Sequence, residues 1–199
     1  MRIVHISDTH GKHYGLAPLP PADIIVHSGD FTFAGSEGEA EDFLQWFCGL
    51  PYKHKVLIAD NHDACMYGKK HVDGLPDNIY YLYNSGVEIE GVKFFGIPLF
   101  MEDVRDGSLD KMVSHIPEDT QVLVTHQPPF GYGDLWKGQH CGSRKLRQKV
   151  DTLYSLRLHL FGHQHGDNNQ IQIGKVIFSN AAILDSQYHM VAGPRVITY

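Results

Sequence analysis

Short apolar runs recur along the chain, and polar residues follow each of them. The clearest run is Ile24, Ile25 and Val26, which has turn formers on both sides and is followed by Gly29 and Asp30. A continuous apolar run of this length predicts a strand that is buried on both faces. Four further runs, at residues 3–6, 56–59, 122–124 and 158–161, have the same form.

Residues able to bind a metal follow all five predicted strands. In an open α/β sheet, ligands bind in the crevice beyond the carboxyl ends of the strands. Side chains at these positions are therefore expected to converge on one site. They are Asp8, His10, Asp30, Asn61, His126, His163 and His165.

The segments between the strands predict helices. Residues 36–49 begin with acidic residues, carry Phe43 and Phe47 four positions apart and end at Gly49, all of which favour a helix. This helix is expected to pack on the sheet through Phe43 and Phe47. Two more helices are predicted over residues 106–115 and 143–154.

Three short β-rich runs follow one another without a helix between them, at residues 79–83, 87–90 and 92–97. Neighbouring strands of this kind predict a meander, and hence a second, partly antiparallel sheet. From residue 157 onwards the pattern alternates strand and turn. Because no linker or repeat interrupts the chain, we expect residues 1–199 to form a single domain of two packed sheets with helices outside.

A long loop is predicted over residues 127–142, and loops of this length are usually functional or disordered. Its aromatic residues Phe130, Tyr132 and Trp136 could stack on a nucleobase, or they could close the loop over the sheet. A row of basic residues follows and forms either a phosphate-binding patch or a solvated helix face. The row consists of Arg144, Lys145, Arg147 and Lys149.

The composition limits the classes of partner. The chain has 199 residues and a formal net charge of −6. Long nucleic acids bind clustered Lys and Arg, so the expected partner is a small phosphoester or a nucleotide and not a long nucleic acid. No apolar run approaches the roughly 18 residues of a membrane span, so no membrane partner is expected. The oligomeric state stays open.

The chain has three cysteines, Cys48, Cys65 and Cys141. Their number is odd and no two lie in a C-x-x-C pattern, so they predict neither a disulfide framework nor a zinc–thiolate site. Free thiols fit a reducing compartment, and the N-terminus shows no signal segment. We therefore expect a cytoplasmic protein.

The ligand types at the strand ends indicate which metals suit the site. Two aspartates, one asparagine and four histidines form a set that is too rich in nitrogen for magnesium or calcium. Manganese, iron, zinc and nickel all accept such a set, and we expect manganese. Two divalent ions, with Asp30 as their bridging ligand, would clamp a phosphoryl group and make hydroxide available near neutral pH.

Five sequence blocks together resemble those of the calcineurin-like metallophosphoesterase superfamily, in the same order. The blocks are Asp8-Thr-His10, Gly29-Asp30, Asn61-His62-Asp63, Thr125-His126 and Gly162-His-Gln-His165. Three further segments resemble the small metallophosphoesterase-domain phosphodiesterases of the brain type. These segments are Phe43-Leu-Gln-Trp46, Leu50-Pro-Tyr52 and Thr125-His-Gln-Pro-Pro129.

The expected fold is an α/β, four-layer α/β/β/α sandwich, with two mixed β-sheets flanked by helices. The resemblance implies that His62 is the general acid, that Asp63 holds its ring, and that the substrate is a phosphodiester, cyclic nucleotides included. A phosphomonoesterase and a weakly active scaffold or regulator are the alternatives. The implied ligands are Asp8, His10, Asp30 and His165 for the first metal and Asp30, Asn61, His126 and His163 for the second.

One position departs from the family pattern, which has glycine before the Asn-His pair where this chain has Asp60. Glycine there indicates a backbone conformation or a close approach that a side chain resists. A third carboxylate beside the metals would also repel a phosphate. Three interpretations follow: a natural variant with altered activity, a substitution introduced to study the site, or a side chain turned to solvent.

Overall fold

The computed structural model describes residues 1–199. The strands of its first sheet are β1 (Arg2–Ile6), β2 (Ile24–Ser28), β3 (His54–Ile58), β4 (Ile79–Tyr81) and β13 (Arg195–Thr198). They lie in the order β13–β1–β2–β3–β4. Strands β1 to β4 are parallel and β13 is antiparallel to β1, so the carboxyl ends of β1, β2 and β3 share one edge.

The second sheet has six strands. They are β5 (Ser85–Ile89), β6 (Val92–Ile97), β7 (Val122–Thr125), β10 (Leu158–Phe161), β11 (Gln170–Ile173) and β12 (Val176–Asn180). Their order is β11–β12–β10–β7–β6–β5, with parallel pairs at the centre and antiparallel pairs at both edges. A separate hairpin consists of β8 (Leu135–Trp136) and β9 (Gln139–His140).

Four α-helices and two short 3-10 helices connect the strands. The α-helices are α1 (Glu37–Cys48), α2 (Met101–Asp106), α3 (Ser108–Ser114) and α4 (Arg144–Val150), and the 3-10 helices are His13–Leu16 and Ala64–Met66. Helix α1 begins with a capping box in which Ser36 and Glu39 each bind the other's backbone N–H. None of the helices is both long and apolar enough to cross a membrane.

Alternate residues of a strand point to opposite faces of its sheet, and this places a core on each side of the first sheet. Val4 and Ile25 face outwards and lie in one cluster with Phe43 and Phe47 of α1. The prediction that α1 packs through these two rings is confirmed.

The adjacent strand residues point the other way. Ile3 and Ile24 lie in a second cluster with Val122 and Leu160 of the second sheet, which is the interface between the two sheets. A third cluster joins the far face of the second sheet to α3 and α4. The layers therefore run helix, sheet, sheet, helix, as predicted for the α/β/β/α sandwich.

Two local predictions are wrong, and one helix was not predicted. The run at residues 79–83 does not join the meander, because β4 pairs in parallel with β3 of the first sheet. The helix predicted over residues 106–115 is confirmed as α3, and the helix that was not predicted is α2, which Gly107, with a left-handed φ of 77°, separates from α3. The loop at residues 127–142 contains the β8–β9 hairpin, whose turn residues Lys137 and Gly138 have φ of 48° and 80°, as a type I′ turn requires.

Candidate metal centre

The carboxyl ends of strands from both sheets meet at one edge of the sandwich, and this brings the predicted ligands together. Four overlapping groups form there, and within each group the ligand atoms all lie within 4.8 Å of one another. The groups are Asp8, His10 and His165; His10, Asp30 and His62; Asp8, Asp30 and His126; and Asp60, His126 and His163. Six of the seven predicted ligands are members, and Asp30 belongs to two groups.

The backbone is strained at four of these residues. Asp8, His10, Asp30 and His163 have positive φ values of 56°, 41°, 58° and 70°. Non-glycine residues adopt this region rarely, and they do so mostly at functional sites. This backbone conformation turns the side chains of the loops after β1, β2 and β10 towards a common centre.

Gly162 allows the loop after β10 to approach the loop after β1. A Cβ at Gly162 would lie 2.1 Å from Asp8 Oδ2 and from Ser7 Oγ. This contact lets the backbone N–H of His163 donate to both oxygens of Asp8, at 3.1 and 3.0 Å. The glycine before His163 is therefore required by the position of Asp8.

Three histidines of the centre have their Nδ1 atoms engaged by backbone carbonyls. The Nδ1 atoms of His10, His126 and His165 lie 3.0, 2.8 and 3.0 Å from the carbonyl oxygens of Thr32, Ser28 and Asp185. An N–H must donate to each carbonyl, so Nε2 of each ring is the atom left to bind a metal. The Nε2 atoms of His10 and His165 face each other at 3.3 Å.

The carboxylates of Asp8 and Asp30 are buried among these rings. Burial raises the pKa of Asp8, but His126 and His165 outweigh it and hold that pKa far below its usual range. The same competition between burial and His126 lowers the pKa of Asp30 to about 2. Burial lowers the pKa of His10 and of His163 to about 4, so these rings are neutral near pH 7, as metal ligands must be.

Asp63 does not hold the ring of His62, and this prediction is wrong. The Asp63 carboxylate accepts hydrogen bonds from the backbone N–H groups of Asp30 (3.1 Å), Thr32 (2.8 Å) and Asp60 (2.9 Å). It therefore joins the loops after β2 and β3. The His62 ring instead has Nδ1 3.0 Å from the carbonyl oxygen of Phe33.

Asp60 lies inside the centre, so the interpretation that its side chain turns to solvent is wrong. It is fully buried, and its Oδ2 lies 2.8 Å from Nε2 of His126. Sequence reasoning noted Asp60 only as a departure. Its position directly after β3, beside Asn61, was the signal that could have placed its carboxylate among the candidate ligands.

Asn61 contacts Asp60. With its amide oriented to satisfy both neighbours, its nitrogen donates to Asp60 Oδ2 at 2.5 Å and its oxygen accepts from the N–H of His62 at 3.2 Å. The amide thus lies at the edge of the group formed by Asp60, His126 and His163. Its role as a ligand stays a prediction.

Two observations show that this donor set suits divalent ions. Asp60 Oδ1 is buried without a hydrogen-bond partner, and such an atom is costly to leave unsatisfied. Burial lowers the pKa of His126, yet Asp60, Asp30 and Asp8 together raise it well above its ordinary value. This concentration of negative charge around a histidine Nε2 is what a cation would neutralise.

A pocket of about 340 Å³ opens beside the centre. Trp136, Cys141 and Tyr188 line it together with His163 and His165. A larger cavity of about 800 Å³ lies around β4, but the four ligand groups are elsewhere. The smaller pocket is therefore the candidate substrate site.

Two of the three loop aromatics are covered. The Arg144 guanidinium lies 3.8 Å from the ring centroid of Phe130, and that of Arg147 lies 3.8 Å from the centroid of Tyr132. Phe130 and Tyr132 therefore close the loop, and these two arginines pack on them. Trp136 is the loop aromatic that faces the pocket.

Comparisons with known proteins agree with this geometry. The family model described as calcineurin-like phosphoesterase matches residues 1–167. A UPF0046 protein of Caenorhabditis elegans is 33% identical over 98% of this chain and 79% of its own length. Human metallophosphoesterase domain-containing protein 1 is 30% identical over 98% of this chain and 70% of its own length.

Solved structures share the fold at low sequence identity. A crystal structure at 14% identity has a TM-score of 0.64 and covers 98% of both chains. The structure of a novel archaeal phosphodiesterase, at 16% identity, has a TM-score of 0.52 and covers 99% of both chains. With the fold and the family match in agreement, the chain belongs to the calcineurin-like phosphoesterase family.

Proposed function

We propose that this protein is a two-metal phosphodiesterase. The observation that carries the proposal is the convergence of Asp8, Asp30 and the histidine Nε2 atoms at the shared edge of the two sheets. Asp30 shares one ligand group with His10 and another with His126, which are proposed ligands of different ions, and this supports Asp30 as a ligand of both ions. The proposed ligands are Asp8, His10, Asp30 and His165 for one ion and Asp30, Asn61, His126 and His163 for the other.

The proposed metals are two manganese ions, and iron, zinc and nickel are the alternatives. When bound, such ions polarise phosphoryl oxygens and supply a nucleophile from water near neutral pH. The chain holds Asp8 and Asp30 ionised and His10 and His163 neutral. These four ligands are in the protonation states that divalent ions need. Burial lowers the pKa of His126 and of His165, but the neighbouring aspartates raise both above the ordinary value, so an ion bound there would compete with a proton.

His62 is the proposed general acid. Its ring lies against His10, with ring centroids 4.6 Å apart, and the residue is partly exposed whereas His10 is buried. The carbonyl of Phe33 accepts from Nδ1, so the neutral ring keeps its proton on Nδ1. In the imidazolium form Nε2 carries the second proton, and it is this proton that would pass to a leaving alkoxide and leave the neutral ring behind.

The pocket supports a nucleotide or another aromatic ester as the substrate, cyclic nucleotides included. Trp136 is 37% exposed and Tyr188 lies with its ring centroid 5.6 Å from that of His165. Aromatic rings beside a phosphate site offer faces on which a base can stack. A small phosphoester partner in the cytoplasm, with no long nucleic acid or membrane, is part of the same proposal.

Three carboxylates at the centre favour a diester over a monoester. Asp8, Asp30 and Asp60 are buried together. A phosphate monoester carries up to two negative charges near pH 7 and a diester carries one, so the extra carboxylate repels the monoester more. A phosphomonoesterase is therefore the second candidate.

Hydrolysis of bis-(p-nitrophenyl) phosphate and of p-nitrophenyl phosphate with added Mn²⁺ tests the proposal. We expect faster cleavage of the diester. Faster cleavage of the monoester would instead establish the phosphomonoesterase. If the protein binds two ions and cleaves neither ester, it is a scaffold or regulator, and the phosphodiesterase proposal fails.

A further inference from the structure

Asp60 stands where the family pattern has glycine, and its side chain lies inside the metal centre. We propose that Asp60 is itself a metal ligand, which binds the second ion together with His126 and His163. This inference rests on the proposed two-metal centre. It adds to that centre a carboxylate that the family resemblance does not assign.

The contacts of the carboxylate point to a cation. Asp60 is fully buried, Oδ2 lies 2.8 Å from Nε2 of His126, and Oδ1 has no hydrogen-bond partner. Its ligand atom lies within 4.8 Å of those of His126 and His163. With the proposed ligands Asp30 and Asn61, these three residues would give the second ion five protein ligands, which is within the six that an octahedral Mn²⁺ takes.

The backbone holds this side chain in place. The N–H of Asp60 donates to Asp63 at 2.9 Å, and the residue forms an isolated parallel bridge with Leu99, which follows β6. A Cβ at Gly29 would lie 2.9 Å from Cβ of Asp60, so the glycine of the loop after β2 leaves room for the Asp60 side chain. Asp60 is not among the residues with positive φ, and the aspartate therefore occupies the position without backbone strain.

Asn61 fits the same assignment. Its amide nitrogen donates to Asp60 Oδ2 at 2.5 Å, which orients the carboxylate. If the amide turns over, its oxygen faces Asp60 Oδ2, and the two oxygens can bind one cation. In both orientations the Asp60 carboxylate is the charged group nearest His126.

A third carboxylate changes the charge of the centre. When two divalent ions are bound, the ionised carboxylates of Asp8, Asp30 and Asp60 would set three negative charges against the four positive charges of the ions. The centre is then less positive than one with glycine at this position. Tighter binding of the second ion and a weaker attraction for phosphate are the expected consequences.

Titration of the metal-free protein with Mn²⁺ tests the assignment without any use of turnover. Isothermal calorimetry gives the affinity for each ion, and electron paramagnetic resonance reports the spin coupling of a Mn²⁺ pair. We expect two ions in the natural chain. In Asp60→Asn and Asp60→Gly the weaker ion should lose at least about tenfold in affinity, and the coupled signal should decrease.

Asp73→Asn is the matched control, because this aspartate is exposed and lies outside the ligand groups. It should bind both ions as the natural chain does. If both Asp60 variants bind the second ion as tightly as the natural chain, or more tightly, the assignment is overturned, and Asp60 is a hydrogen-bond partner that competes for His126. Asp60→Gly keeps the test decisive if Asp60→Asn fails to fold.

The outcome is separable from that of the proposed function. A loss of the second ion in the Asp60 variants, with no ester cleaved by any form, would support the ligand and refute the phosphodiesterase. Diester cleavage by the unsubstituted chain, together with unchanged Mn²⁺ binding in the Asp60 variants, would support the phosphodiesterase and refute Asp60 as a metal ligand. If the natural chain binds no metal, both proposals fail.

Discussion

Replacing Gly162 with alanine tests the packing that positions Asp8. The added Cβ would lie 2.1 Å from Asp8 Oδ2 and from Ser7 Oγ, and 2.7 Å from Ser7 Cβ, whereas real Cβ contacts are essentially never under 3.0 Å. The atoms must therefore separate by about 0.9 Å, which exceeds the roughly 0.5 Å within which a functional group must be held.

The expected loss of stability and of Mn²⁺ affinity in Gly162→Ala follows from the same contact. Overpacking of a buried site costs about 1–3 kcal/mol, which for a domain of this size lowers the melting temperature by about 2–12 °C. Displacement of Asp8 should also weaken Mn²⁺ binding at the first position by about tenfold or more. Thermal unfolding in a chelator and calorimetric titration with Mn²⁺ measure the two effects separately.

Gly166→Ala is the matched control in the same loop. A Cβ there meets nothing within 4 Å, and the residue is exposed, so we expect a change within about 0.5 kcal/mol. If Gly162→Ala binds Mn²⁺ and unfolds as the natural chain does, the loops after β1 and β10 are not in the contact described, and the reasoning is refuted.

Three further changes have definite outcomes. His62→Ala should lower the turnover number about 10²–10⁴-fold while Mn²⁺ binding stays unchanged, with the exposed His71→Ala as control; an unaltered turnover number removes His62 from the mechanism. Trp136→Ala should raise KM for nucleotide diesters more than for alkyl diesters, and an unchanged ratio would end the stacking proposal. His159 is buried, with Nε2 2.9 Å from Oγ1 of Thr125, and burial lowers its pKa to about 3. Below about pH 6.5, His159 binds a proton in the unfolded chain but stays neutral in the folded chain. Folding stability is therefore lost as the pH falls from 6.5 towards 3. In a chelator, His159→Gln should reduce this loss by up to about 1.4 kcal/mol per pH unit, as urea unfolding at pH 7 and 5 measures; identical pH dependence in the two forms would contradict it.

Sequence reasoning predicted most of the fold because burial patterns along single strands are local. The run at Ile24–Val26 had to be buried on both faces, and Phe43 and Phe47 had to face a sheet. It misplaced β4 because a short strand can pair with either sheet, and only packing decides which edge it joins. Helix α2 was not predicted because it has only six residues, too few to show a helical period.

By itself, the sequence determined which residues could gather at the centre. Asp8, Asp30 and His126 follow strands, and the carboxyl ends of parallel strands lie at one edge. Only the tertiary structure decided where Asp60 and Asp63 point. The carboxylate of Asp60 meets a histidine from the other sheet, and Asp63 binds backbone of the loop after β2. Such contacts depend on how the two sheets pack and on the rotamer that packing leaves open, and neither is contained in the order of residues along one strand.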